Sequence, residues 1–355
     1  MLQQFTQPIW IRRLAIVICC ATLPLIFIGG LVTTTDAGMA VPDWPNTYGY
    51  NMFLYPWTTW FAGPWDLFVE HGHRLLAASL GMLCILMCVV AWKSSLSKMF
   101  KWLTVATLLM VIGQGILGGQ RVNFDARFLA MLHGITGPIV FALTMIQVAA
   151  INNELCQAEA LPKSLPLSKP LLFPLAALTT LLAYGQLLLG AQLRHGVEWL
   201  SAHQFRALGI FHMIGASIIT LAIVILFFSA RRTTPALKRS SRWLLALIVV
   251  QLVFGTATWL VNFGWPGNYD NMPVVLRDLI PANPTARSMP QTLTTTTHVA
   301  LGSLILGTAA AMAFVSWYAR RTIFGTEKAK VAPSPKQESK VLRTLTAEVA
   351  AGGLA

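Results

Sequence analysis

Charge is the scarcest property of this 355-residue chain: Asp, Glu, Lys and Arg make up 11% of it, and 55% is hydrophobic. A soluble domain carries about 25% charged residues, so the shortage excludes a soluble fold and predicts an integral membrane protein. Acidic residues are the rarer sign, 13 against 26 basic ones, for a formal net charge of +13. That excess does not point to nucleic acid. The basic residues fall in short clusters between apolar runs, which is the pattern of membrane topology and leaves no basic face for phosphate contacts. Cysteine is scarce as well: Cys19, Cys20, Cys84, Cys88 and Cys156 lie in apolar runs or in a connection expected at the cytoplasmic side. None stands in an outer connection, which excludes a structural disulfide there. Cys84 and Cys88, at i and i+4, read as packing residues.

What the chain has in abundance is apolar runs near the 20 residues that cross a bilayer. They fall near 12–34, 68–92, 101–120, 127–150, 170–192, 204–230, 241–262 and 292–320, predicting an all-α fold of eight membrane helices. The first run, with Arg12 and Arg13 ahead of it, is too long for a signal-peptide core and reads as a retained helix. Pro24, Gly29 and Gly30 within it require neighbouring helices to cover the loosened backbone. Nineteen of the 26 basic residues lie at the amino terminus, in the connections 93–101, 151–169 and 231–242, and in the tail from Arg320; six lie in the alternate connections. Both termini are therefore expected on the cytoplasmic side. The outer connection 35–67 holds no basic residue but many aromatics, among them Trp44, Tyr48, Tyr50, Tyr55, Trp57, Trp60 and Trp65. These rings serve either as an interfacial anchor, the reading preferred here, or as a lid. Residues 322–355 read as a disordered cytoplasmic tail.

Two patterns repeat along the chain. Gln114/Gly118, Gln186/Gly190 and Gln251/Gly255 place Gln-x-x-x-Gly on the third, fifth and seventh runs, while His73, His133, His212 and His298 stand just inside the outer ends of the even-numbered runs. Small residues at such spacing serve close helix packing, and a single membrane histidine is commonly a hydrogen bonder. Four histidines at one depth, roughly 8 to 12 Å inside their helices, instead predict a bundle core clamping a flat, metal-bearing group from two sides. Two imidazoles suit the axial positions of an iron porphyrin, whereas zinc requires further ligands. The Cys-x-x-Cys-His attachment motif is missing, which excludes a c-type heme. The histidines divide the chain into two four-helix halves, near 1–150 and 170–321, joined by a cytoplasmic linker 151–169.

The halves differ beside their first histidine. Glu70 precedes His73 by three residues and Arg74 by four, whereas Gly209 holds the place before His212. An ion pair between Glu70 and Arg74 is the structural reading of that carboxylate. The functional reading is proton handling by a partly desolvated acid in one half only. Arg74, Arg121, Arg194 and Arg206 at the outer side suit either porphyrin carboxylates or lipid headgroups. His71, two residues before His73, faces away from it and has no assigned role.

Taken together, Gly30-Leu31-Val32-Thr33, Gly38-Met39-Ala40-Val41-Pro42-Asp43-Trp44-Pro45, Glu70-x-x-His73-Arg74, Leu132-His133-Gly134, Phe205-Arg206 with His212, and Thr297-His298 resemble the heme A synthase family of bacteria and mitochondria over about residues 10–320. The resemblance implies two pseudo-symmetric four-helix bundles in the cell membrane, with heme sites near the outer face. The implied activity is oxidation of the C8 methyl of heme O to the formyl group of heme A, for cytochrome oxidase. By the same resemblance His73 and His133 hold the substrate heme, Glu70 is catalytic, and His212 and His298 ligate a resident heme b; Arg74, by its outer position, is expected to bind the substrate heme through its carboxylates. The cysteine pair that some members carry in the first outer loop is missing here. A quinol-linked cytochrome b carrier and a heme transporter or chaperone are the alternatives; the unique carboxylate in one half argues against the carrier, and four histidines near one face argue against a transporter, which needs a path across the membrane. The electron acceptor, homo-oligomerisation, and contacts with the heme O synthase or cytochrome oxidase assembly factors stay open at this level.

Overall fold

The computed structural model describes residues 7–158, 171–196, 199–264 and 288–331. Among these residues there is no strand, and eight helices are long and apolar enough to cross a membrane. They are α1 (Pro8–Thr34), α2 (Trp65–Trp92), α3 (Lys98–Asn123), α4 (Arg127–Ala158), α5 (Leu172–His195), α6 (Ala202–Ala230), α7 (Pro235–Phe263) and α8 (Met289–Val331). Seven of the expected runs lie inside one of them, and the fifth, 170–192, coincides with α5 from Leu172 onward. With the family evidence given below, this is a multi-pass membrane protein.

Local signals set several starts. Pro8 and Pro235 occupy first helical positions, where the missing N–H has no helical partner to lose. Ser97 and Thr234 cap α3 and α7, and Ser201 with Gln204 forms a reciprocal capping box on α6, satisfying amides that otherwise lack acceptors. Two ends run further than composition suggests. α4 continues to Ala158, into the expected linker, where Arg12 Nε donates to Asn152 at 2.7 Å and Ser97 N donates to Glu154 at 3.1 Å. α8 continues to Val331, so the expected tail begins later than 322; helix-forming residues carry it to just short of Pro333, and the residue before a proline disfavours the helical region. Residues 159–170 of the linker and 332–355 of the tail lie outside the described residues.

α1 packs on α2 and α4, α3 joins α2 to α4, and in the same way α5 packs on α6 and α8, with α7 joining α6 to α8. The two groups meet through α8 against α4 and α1, and through α4 against α5. Two apolar cores result. One gathers Ile11, Ile18, Leu80, Met87 and Phe100; the other gathers Leu172, Ile223, Leu226, Leu244 and Met312. Both cores lie toward the helix ends opposite the histidines, so the histidine ends are left to the sites. Outward faces, such as Ile210, Ile214, Leu221 and Ile225 of α6, are exposed and apolar, as helices in hydrocarbon require.

The meeting of the two groups is close and polar. Gly30 on α1 lies against the Thr296 methyl of α8, and Thr34 and Thr296 hydroxyls are 3.3 Å apart. Arg194 at the end of α5 donates to Gly30 O at 2.8 Å and to the Thr34 hydroxyl. The α1 backbone expected to need cover therefore receives it from α8 and α5.

Candidate functional site

The four histidines stand six to ten residues inside their helices, about 9 to 15 Å down at 1.5 Å per residue. They meet in two pairs, His73 with His133 and His212 with His298, whose ring centres are 6.3 and 6.2 Å apart and whose planes cross at 83° and 71°. A metal ion between two opposed imidazoles sets ring centres roughly 6 Å apart, from about 2 Å for each metal–nitrogen bond and about 1 Å from each nitrogen to its ring centre. Among the described residues, no group of three or more His, Cys, Asp or Glu gathers to hold a metal ion. Two imidazoles at this separation fit a metal whose remaining ligands belong to its own macrocycle.

Each imidazole is seated against a glycine of the preceding helix. A Cβ at Gly29 would come within 2.9 Å of His73 Cε1, at Gly118 within 3.1 Å of His133, at Gly190 within 3.5 Å of His212 and at Gly255 within 2.9 Å of His298. Three of these are the glycines of the Gln-x-x-x-Gly repeat, and the glutamines have a place in the same arrangement. His133 Nδ1 donates to Gln114 O at 3.1 Å. Because a carbonyl only accepts, Nδ1 carries the proton and Nε2 presents its lone pair, the form that ligates a metal. The Gln186 amide lies 2.9 Å from His212 Nδ1, and an amide meets either tautomer by turning over. His73 and His298 face the backbone carbonyls of Leu25 and Gln251 on the preceding helices, though neither Nδ1 makes a hydrogen bond of good geometry.

Around the first pair the outer connection is drawn in tightly. Glu70 and Arg74 are 4% and 9% exposed. Glu70 Oε1 accepts from Arg74 at 2.7 Å and Oε2 accepts from Val41 N at 2.9 Å. Arg74 also donates to the carbonyls of Val41 at 2.8 Å, Asp43 at 2.6 Å and Asn46 at 3.0 Å. The ion pair foreseen from i, i+4 spacing is thus present, and it holds the loop as well. Trp44 of that loop presses on Gly119 of α3, and Arg121 donates to Gly38 O at 2.9 Å. Spacing along the chain carried no signal for these contacts.

His71 acquires a place in the same assembly. Its Nδ1 lies 3.1 Å from the Thr47 hydroxyl, and the rings of Tyr55 and Trp60 flank it at 5.1 and 5.2 Å. The aromatics of the loop are therefore divided: Trp44, Tyr55 and Trp60 turn inward, while Trp57 and Trp65 are exposed as an interfacial anchor would be. Asp43 accepts from Tyr48 N and Gly49 N at 2.8 and 2.7 Å, and Tyr48 donates its hydroxyl to Ala40 O. Partial desolvation, then the nearby Tyr55, Glu70 and Asp43, raise Tyr48 above the usual phenol range, which keeps the proton it donates.

The second pair has different surroundings. Gly209 holds the place of Glu70 and lies against Trp259 of α7, so among the described residues no carboxylate stands at that place beside His212. Of the outer arginines, Arg74, Arg121 and Arg194 hold backbone carbonyls, and Arg206 is exposed. His195, which the sequence pattern did not single out, brings Nε2 to 3.9 Å from where a Cβ at Gly134 would stand; a residue of α5 thus reaches beside the His133 turn. The connection 265–287, outer in the expected topology, lies outside the described residues.

The family model COX15-CtaA, described as cytochrome oxidase assembly protein, matches residues 64–268. The chain is 32% identical over 140 residues to a heme A synthase of Shouchella clausii, a match covering 38% of this chain and 44% of that protein. It is 22% identical over 309 residues to a heme A synthase of Rickettsia bellii, covering 71% of this chain and 90% of that one. A heme A synthase of Shewanella oneidensis is 23% identical over 198 residues, covering 52% and 56%. The match to the Shouchella protein thus spans less than half of that relative's length.

Proposed function

The chain belongs to the COX15-CtaA family of cytochrome oxidase assembly proteins, and from that membership we propose that it is a heme A synthase, an oxidoreductase that converts heme O to heme A. The observation that carries the proposal is the pair of matching imidazole separations, 6.3 and 6.2 Å, in two helix groups of which, among the described residues, only the first has a carboxylate beside its histidine. The groups act as two pseudo-symmetric four-helix bundles, residues 1–150 and 170–321. The termini are cytoplasmic and the histidine layer lies near the outer face of the cell membrane.

In this reading His73 and His133 hold the substrate, heme O, and His212 and His298 hold heme b. Heme b, when bound, supplies a one-electron redox centre. The substrate's C8 methyl is hydroxylated twice, each step removing two electrons, and the resulting geminal diol loses water to leave the formyl group. Glu70 stands one turn from His73 on the same face of α2, beside the substrate's edge and not under its iron, where a carboxylate takes or orients a proton. Its two oxygens are held by Arg74 and Val41 N, so it is placed before substrate arrives and needs no reorganisation. Arg74 positions Glu70 and fastens the loop, and that loop, with Trp44 against α3, keeps water from the substrate's edge.

A carrier that only relays electrons has no use for this asymmetry. The test is expression in a host that makes heme O but no heme A, followed by chromatography of the extracted pigments. Heme A accompanying heme b is the expected result. Folded protein loaded with heme b, supplied with heme O and an electron acceptor, and forming no heme A would overturn the assignment.

A further inference from the structure

At the end of the molecule away from the histidines, α6 and α7 frame a cleft of about 180 Å³ lined by Phe227, Arg231, Lys238, Ser241 and Arg242. His212 and Arg231 are separated by 19 residues of α6, about 28 Å at 1.5 Å per residue. The cleft therefore opens at the opposite membrane boundary. Lys238 and Arg242 lie one turn apart on α7 and share a face, and Arg231 completes the basic lining from α6. Arg232 and Arg239 stand in the same connection, and residues 199–264 contain no aspartate or glutamate. Three cations in one cleft repel one another, and nothing in this hairpin neutralises them. The tail offers little help, since from Arg320 onward it carries seven basic residues against three acidic ones.

We propose that this cleft binds the phosphate of an anionic membrane phospholipid. The guanidinium of Arg231 lies over the Phe227 and Phe228 rings at 5.8 and 5.5 Å, which holds its flat fork in place for a phosphate oxygen pair. Ser241 Oγ donates to Lys238 O at 3.0 Å, so its hydroxyl anchors the turn carrying Lys238, and the donors left for a phosphate are the three cations. A membrane source is favoured over free phosphate by what adjoins the cleft. Phe228, Ile225 and Leu221 form an exposed apolar stripe descending α6, and Trp243 is exposed beside the cleft on α7. A headgroup seated among the cations would lay its acyl chains along that stripe, whereas a free anion gains nothing from it. Basic pockets between helices at a membrane boundary are suited to such headgroups.

The test compares phosphatidylglycerol with phosphatidylcholine retained by the purified full-length protein, measured by native mass spectrometry. Wild type should keep phosphatidylglycerol in clear preference, and millimolar inorganic phosphate should not displace it. Lys238→Gln with Arg242→Gln should lower that preference by about fivefold for each charge removed. Lys93→Gln with Lys101→Gln, at the end of α2 and in the first turn of α3, should leave it unchanged. Should the double variant lack the wild-type helix content, Lys238→Gln alone should show the single fivefold loss. Equal retention of both lipids, an equal loss in both double variants, or displacement by inorganic phosphate would each overturn the proposal; the last would mark a site for free anions.

Discussion

The two helix groups seat their histidines alike and surround them differently. Both pairs have ring centres just over 6 Å apart, and every imidazole rests on a glycine. Beyond that layer the first group has a buried carboxylate–guanidinium pair fastened to an outer loop, and the second has Gly209 against Trp259. The comparison teaches that the shared part is what holding a flat metal-bearing group demands, and that the unshared part is where chemistry is to be sought.

The largest expected effect separates the pairs outright. His212→Ala or His298→Ala should remove the heme b of the second group, measured as heme b per folded protein; unchanged content in either variant would exclude that residue as an essential ligand. Glu70→Gln should do the reverse, retaining heme b while heme A formation falls by about 10² to 10⁴, the usual worth of a general acid or base. Near-normal turnover per bound heme b would return Glu70 to a purely structural role. Arg74→Met sharpens the point, because breaking a buried pair costs about 3–5 kcal/mol. Both variants break the pair and should lose thermal stability, Arg74→Met the more because it also releases three loop carbonyls, whereas a fall in turnover per folded, heme b-loaded protein should be confined to Glu70→Gln; parallel falls in that turnover would merge the two roles.

Smaller effects test the seats. Gly255→Ala places a methyl 2.9 Å from His298 Cε1, and overpacking of this kind costs about 1–3 kcal/mol. It should shift the heme b absorption spectrum, while Gly113→Ala, which meets nothing within 4 Å, should leave it alone; identical spectra in both variants would reject the seat. Smallest is His71→Phe, which keeps the ring between Tyr55 and Trp60 but loses the Thr47 bond. A loss of about 1 kcal/mol in stability is expected, with heme b content unchanged.

The parts of this arrangement that repeat along the chain were legible in it. Eight apolar runs and four histidines at one depth require only a 1.5 Å rise and a bilayer's thickness. The Gln-x-x-x-Gly repeat was visible too, though its meaning as an imidazole seat and a backbone acceptor needed the neighbouring helix in place. Contacts without a period were not legible. Val41 N on Glu70, three loop carbonyls on Arg74 and Thr47 on His71 join residues 24 to 33 positions apart through an irregular loop. Arg74 was matched to the substrate from its outer position, and its guanidinium is found holding the loop. Arg194 and His195 close a run whose apolar pattern has already ended, so nothing periodic marked them.

Arg194 also bears on the order in which the protein is made. Its acceptor, Gly30 O, lies 164 residues earlier, an interval of roughly 8 to 33 s at about 5–20 residues per second of synthesis. Until α5 emerges, that carbonyl has only partners from its own helix, among them the Thr34 hydroxyl at 2.8 Å. The residues of the first four helices are thus all translated before the one that closes this carbonyl from α5 exists.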